Sequence, residues 1–234
     1  MTESEGMRKL VRREVRSPRS AALAGILFSL LMVTSMILLR AGAIVDPAEV
    51  SPEWLEARSA NAAVILVLIP FAGIAFLWFT GVMRDLLGDR EDKFFATVFL
   101  GSGIILVVMM FVWAAAYGAI FATYQAVAGV LTDLDVFVYA TTFTNLLMRN
   151  FFLRMAGVYM LSTGSLWTRT GAAPRWLSII TVIVAVSFLL FAGALRWARF
   201  IFPAWVLLVS VYILILNYRY TQKLEGNEES TLDV

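Results

Sequence analysis

Two long runs without charge flank a short charged turn, and they restrict the fold of this chain more than any other feature. Residues 61–83 and residues 94–124 contain no Asp, Glu, Lys or Arg. A helix rises ~1.5 Å per residue, so ~20 residues cross a ~30 Å hydrocarbon layer, and both runs exceed that length. Neither run keeps the polar face of a soluble amphipathic helix. Both are therefore predicted to be transmembrane helices.

The composition extends this prediction to the whole chain. Hydrophobic residues make up 60% of the 234 residues, whereas soluble domains contain ~45–50%. The predicted fold is all-α, a polytopic transmembrane helix bundle of six spans. The spans cover residues 20–40, 61–83, 94–124, 137–167, 176–195 and 200–218. A basic segment, residues 1–19, precedes this domain, and residues 219–234 form a polar tail that is expected to be disordered.

The distribution of Lys and Arg predicts the orientation. If the N-terminus is cytoplasmic, the cytoplasmic segments carry 13 Lys and Arg and the outer segments carry 4. Segments flanking membrane helices on the cytoplasmic side are enriched in these residues. The sequence therefore predicts that both termini, N-in and C-in, lie in the cytoplasm.

The charged turn between the second and third spans has capping residues. Gly88 suits the left-handed position that ends a helix, and Asp89 with Asp92 suits the start of the next helix. A tight, well-capped cytoplasmic turn is one interpretation. A docking surface for a cytoplasmic protein partner is the other, and its candidate residues are Arg84, Asp85, Asp89, Arg90, Glu91, Asp92 and Lys93.

This hairpin also carries a resemblance. The string FAGIAFLWFTGVMRDLLGDREDKFFATVFLGSG, residues 71–103, resembles a signature of uncharacterised multi-span integral membrane proteins of actinobacteria-like bacteria. The resemblance implies a multi-pass protein of the bacterial plasma membrane. It implies no activity and no catalytic residue.

The fourth predicted span differs from the others because it contains four strongly polar residues. They are Asn145, Arg149, Asn150 and Arg154. At ~100° per residue they form a broad polar arc on one helix, and an arginine at mid-bilayer costs ~2.5–3.5 kcal/mol on insertion scales. Two interpretations stay open. The arginines extend to the outer interface, or they form an internal cationic site for an anion, a lipid headgroup or the carbonyl groups of a helix end.

Two short patterns predict close helix packing. Ala21 and Gly25 are small residues four apart in the first span, a spacing that allows another helix to approach closely. Residues 162–165, Ser-Thr-Gly-Ser, resemble a nucleophile motif. Because the chain has no histidine to activate a serine, hydroxyl groups that pack between helices are the favoured interpretation.

The residue types that are absent limit the chemistry. The chain has no His and no Cys, so it lacks the commonest general base and the thiolate ligands of zinc sites. We expect no catalytic residue, no metal site and no cofactor. The net charge of only +2 gives no reason to expect nucleic acid as a partner. The lipid bilayer and a membrane or cytoplasmic protein are the expected partners.

These observations favour a non-enzymatic accessory, scaffold or envelope-associated membrane protein. The alternative is a small transporter or channel for an anionic or lipidic solute, with Arg149 and Arg154 lining its path.

The predicted orientation can be tested with reporter fusions. Fusions after Met83, after Arg169 and at the C-terminus should report a cytoplasmic position, and fusions at Thr132 should report an external one, because of the distribution of basic residues. The measurement is the paired activity of a cytoplasmic and an external reporter. An external C-terminus would contradict the six-span prediction.

Overall fold

A computed structural model describes residues 3–40, 52–87, 93–126, 134–192 and 197–232, and these residues are helical apart from short turns. The helices are α1 (Glu3–Arg40), α2 (Pro52–Leu87), α3 (Lys93–Ala126), α4 (Leu134–Leu146), α5 (Leu153–Thr170), α6 (Arg175–Phe191) and α7 (Ala198–Leu232). A π-helical turn, Leu147–Phe152, joins α4 to α5 in one continuous rod. The described residues thus form six helical rods without a β-strand, which confirms the all-α prediction.

Four helices are long and apolar enough to cross a membrane, which indicates a membrane protein. Their apolar stretches are Arg19–Leu39, Glu56–Arg84, Ala96–Thr123 and Ala198–Arg219. They coincide with the predicted first, second, third and sixth spans. Helix α6, Arg175–Phe191, is apolar but shorter. The α4–α5 rod carries the polar arc and is not among the four.

Several helices extend beyond the predicted spans. Helix α1 begins at Glu3 and so includes the basic segment. Helix α2 begins at Pro52 and continues to Leu87. The prediction of a disordered tail is wrong, because α7 continues to Leu232. Residues 222–225, Gln-Lys-Leu-Glu, all have high helix propensity, and extending an existing helix avoids the cost of a new nucleus.

The rods surround an aromatic interior. Helix α1 lies between α2 and α7, α3 packs on α2 and on the α4–α5 rod, and α6 packs on α5. The largest fully buried aromatic side chains come from all of these helices except α4: Phe28, Phe76, Phe79, Phe99, Trp113, Phe152, Tyr159, Phe188 and Phe202.

Glycine is required where α1 packs against both α2 and α7. A Cβ atom on Gly25 of α1 would collide with Ser210 Oγ of α7 and would lie 2.8 Å from Cδ2 of Phe79 in α2. Ala21, one turn earlier, is fully buried. The close approach predicted from the Ala21 and Gly25 spacing is therefore confirmed, with α1 enclosed by both neighbours.

The turn between α5 and α6 is formed by a helix cap. Gly171 ends α5 with φ of 69°, in the left-handed region, and its N–H donates to the carbonyl oxygen of Trp167 at 2.9 Å. Glycine adopts this conformation without steric cost. The cap lets α6 start at Arg175 and fold back against α5.

We expect Gly25→Val to destabilise the bundle and Gly81→Val to serve as its matched control. The new side chain at position 25 would overlap Phe79, whereas a Cβ on Gly81 meets no atom within 4 Å. Overpacking a core costs ~1–3 kcal/mol, and the change in helix propensity is the same for both variants. Thermal unfolding in detergent measures the difference. Equal midpoints for the two variants would contradict the packing at Gly25.

Candidate functional site

The four polar residues of the predicted fourth span lie at and beside the π-helical turn. Asn145 belongs to α4, Arg149 and Asn150 belong to the turn Leu147–Phe152, and Arg154 belongs to α5. Asn145, Arg149 and Arg154 are exposed, and Asn150 is half-buried. The structure therefore brings the four residues together on the outer surface of the rod.

The π-helical turn changes which residues share a face. In an uninterrupted α-helix, Arg149 and Arg154 would lie ~140° apart, because five residues turn the chain by ~500°. A π-helical turn bonds residue i to residue i+5 and so uses an additional residue. This rotation brings Arg149 and Arg154 closer around the rod axis. The sequence gives no signal for the π-helical turn, and the sequence analysis missed it.

Arg154 bonds to the preceding turn of its own rod. Its Nη1 donates to Asn150 Oδ1 at 3.3 Å and to the Asn150 carbonyl oxygen at 3.4 Å. Both distances exceed the ~2.7–2.9 Å of strong charge-assisted bonds. The guanidinium group therefore contacts Asn150 through Nη1 and is exposed on the outside of the rod.

The opposite side of the same turn belongs to the core. Leu147, Met148 and Phe152 are buried, and the Phe152 ring lies edge-on to Phe202 of α7 with centroids 5.9 Å apart. One turn therefore has an apolar face toward the interior and a polar face toward the outside. Rotation of the rod about its axis would separate the Phe152 ring from Phe202 and bring the arginines into the aromatic core, which opposes such a rotation.

Polar contacts inside the bundle join different helices. Tyr159 Oη and Thr80 Oγ1 are 3.1 Å apart, and Trp205 Nε1 donates to Thr181 Oγ1 at 2.9 Å. The sequence analysis missed these pairs, because nothing in an apolar run indicates which hydroxyl meets which partner. Ser162 and Thr163 are buried and donate to carbonyl groups of their own helix, and the interpretation of the 162–165 motif as hydroxyl groups that pack between helices stays a prediction.

The charged turn between α2 and α3 is only partly described. Arg84 is exposed near the end of α2, Asp85 also lies in α2, and Lys93 is the first residue of α3. Asp89, Arg90, Glu91 and Asp92 lie outside the described residues. A docking role for this turn stays a prediction.

The chemistry available at the polar face is recognition of an anionic or hydrogen-bond-accepting group. Guanidinium groups bind carboxylate and phosphate through two parallel N–H bonds, and the amides of Asn145 and Asn150 add donors and acceptors. Among the residues that the structure describes, no group of three His, Cys, Asp or Glu side chains is placed to hold a metal ion.

Searches of protein-family models, curated proteins and solved structures found no match to this chain.

Two buried tyrosines should respond differently to removal of the hydroxyl group. Tyr159→Phe removes the bond to Thr80 and should lower the free energy of unfolding by ~1 kcal/mol. Tyr117 Oη is buried without a hydrogen-bond partner in the described part of the chain, so Tyr117→Phe should be neutral or stabilising. Unfolding of both variants in the same detergent gives the comparison. Equal losses of stability would contradict these assignments.

Proposed function

We propose that this protein is a non-enzymatic accessory or scaffold component of a membrane complex. The observation that carries the proposal is the contrast between the interior and the exterior of the bundle. Aromatic rings from all six described rods fill the interior: Phe99 stacks on Tyr159 with centroids 4.7 Å apart, and Phe76 lies 5.1 Å from the same ring. The arginines of the polar face are exposed on the outside. This arrangement suits a protein that acts through its surface.

The membrane context that we propose follows from the sequence. The four apolar helices, the α4–α5 rod and α6 form six spans, with both termini in the cytoplasm. The asymmetry of Lys and Arg supports this orientation. The resemblance of residues 71–103 to multi-span proteins of actinobacteria-like bacteria supports a bacterial plasma membrane.

Transport of an anionic or lipidic solute is the alternative. It requires Arg149 and Arg154 to line a path through the bundle, whereas both side chains are exposed on the outside of the α4–α5 rod. Their position gives transport less support than an accessory role. Liposome flux assays distinguish the two, since flux of an anion that is lost in Arg154→Gln would favour transport.

The proposal predicts that the protein leaves its native membrane in a complex with other subunits. Extraction into polymer-bounded nanodiscs without detergent should give particles whose protein mass exceeds the 26.0 kDa of this chain, and denaturation should release a second polypeptide in fixed stoichiometry. Native mass spectrometry gives both values. Recovery of this chain alone, together with turnover or flux in liposomes, would overturn the proposal.

A further inference from the structure

We propose that the polar face at the π-helical turn is the docking surface for a transmembrane helix of another protein that carries a carboxylate at mid-membrane depth. This face is formed by Asn145, Arg149, Asn150 and Arg154. The inference rests on the proposed accessory function and names the surface and the chemistry of the partner.

The depth of Arg154 in the membrane can be derived from α2, because α2 and α5 run in the same direction. The α4–α5 rod packs along α3 throughout, and Phe99 near the start of α3 stacks on Tyr159 in the second half of the rod, so the rod runs antiparallel to α3. Contacts of Gly73 with Phe111 and of Gly118 with Leu66 show that α2 is also antiparallel to α3. Helices α2 and α5 are therefore parallel, and positions along α2 give the depth of residues in α5.

The bond between Thr80 and Tyr159 sets the register of these two helices. Thr80 lies four residues before Arg84, where the apolar stretch of α2 ends, a distance of ~6 Å along the axis. Arg154 lies five residues from Tyr159 in the opposite direction, which adds ~7–8 Å. With the edge of a hydrocarbon layer ~30 Å thick placed at Arg84, the Cα atom of Arg154 lies ~14 Å inside the layer, close to its midplane.

An exposed arginine at this depth requires an acceptor from outside the bundle. Charged residues within the bilayer are expensive and usually face a partner or a water-filled cavity, and the two bonds of Arg154 to Asn150, at 3.3 and 3.4 Å, use only Nη1. The guanidinium group carries five donors in a planar fork. A carboxylate accepts two of them at once and neutralises the charge.

This chain does not contain the required carboxylate at the right depth. Its apolar stretches include no Asp or Glu apart from Glu56 at the very start of one of them. A second copy of the chain therefore offers no acidic side chain at mid-membrane, and charge complementarity points to a different protein.

A helix fits this position better than a lipid headgroup. The edge of the hydrocarbon core lies ~15 Å from the midplane and the phosphates lie beyond it, whereas an arginine side chain extends only about half of ~15 Å. A carboxylate on a neighbouring helix can be placed at any depth. Phe151 and Leu146 are exposed beside the polar residues and add apolar surface that a helix can cover.

The test uses the full-length protein in phosphatidylcholine nanodiscs and two synthetic transmembrane peptides. Both peptides are Leu-Ala helices with an acceptor fluorophore, and they differ in one central residue, Glu or Gln. The protein carries the donor fluorophore. Energy transfer at increasing peptide-to-protein ratios gives the apparent affinity within the bilayer.

We expect the Glu peptide to bind the wild-type protein about tenfold more tightly than the Gln peptide, and Arg154→Gln to abolish this preference. Arg169→Gln is the matched control, because Arg169 is an exposed arginine on the same rod, fifteen residues from Arg154 and near the end of α5. It should keep the preference. Since Arg154 is exposed, Arg154→Gln should unfold at the same temperature as the wild type, which separates loss of docking from loss of fold.

Four outcomes would overturn the inference. Equal affinities of the two peptides for the wild type would show that the polar face does not recognise a carboxylate. A Glu preference that survives Arg154→Gln would show that Arg154 is not the residue that binds it. Loss of peptide binding when phosphatidylglycerol replaces phosphatidylcholine would identify a lipid headgroup as the occupant. Energy transfer between differently labelled copies of the protein that disappears in Arg154→Gln would identify self-association.

Failure of the docking inference is distinguishable from failure of the proposed accessory function. If the native complex contains a second polypeptide but the peptides show no preference, the accessory role stands and the partner binds elsewhere. If the chain is recovered alone and has activity of its own, the proposed function fails whatever the peptides show.

Discussion

The contact between Tyr159 and the rings around it holds the described structure together. Its ring meets Phe99 of α3, Phe76 of α2 and both Phe202 and Trp205 of α7, and Phe28 of α1 joins through Phe76 at 4.9 Å. Lipid chains are as apolar as these side chains, so association of helices in a membrane depends on shape and polar contacts more than on the hydrophobic effect. The interlocking rings provide complementary shape, and the hydrogen bond between Tyr159 and Thr80 provides a polar contact.

The same contact explains why the arginines face outward. Tyr159 and Phe152 both point from the α4–α5 rod into the core, so the rod has one preferred rotation about its axis. That rotation leaves Arg154 exposed and bonded to Asn150. The orientation of the charged side chains is therefore a consequence of aromatic packing several residues away.

The sequence predicted the helical membrane character well because apolar length is a local property. The charge-free runs at 61–83 and 94–124 lie within α2 and α3. The spacing of Ala21 and Gly25 predicted the close approach of α1 to its neighbours. The sequence identified the polar arc, but it did not show whether the arc faces the interior or the exterior of the bundle. That side depends on the rotation fixed by Phe152 and Tyr159, and rotation is a property of the assembled bundle.

The π-helical turn Leu147–Phe152 also has a consequence for how this chain can change in evolution. A π-helical turn contains one residue more than the α-helix needs for the same rotation. Loss of a single residue there would restore a regular α-helix and would leave α4 and α5 in nearly their present phase. The same deletion elsewhere in the rod would rotate everything before it by ~100° relative to the core. Natural sequences related to this chain should therefore vary in length at this turn more readily than anywhere else in the rod.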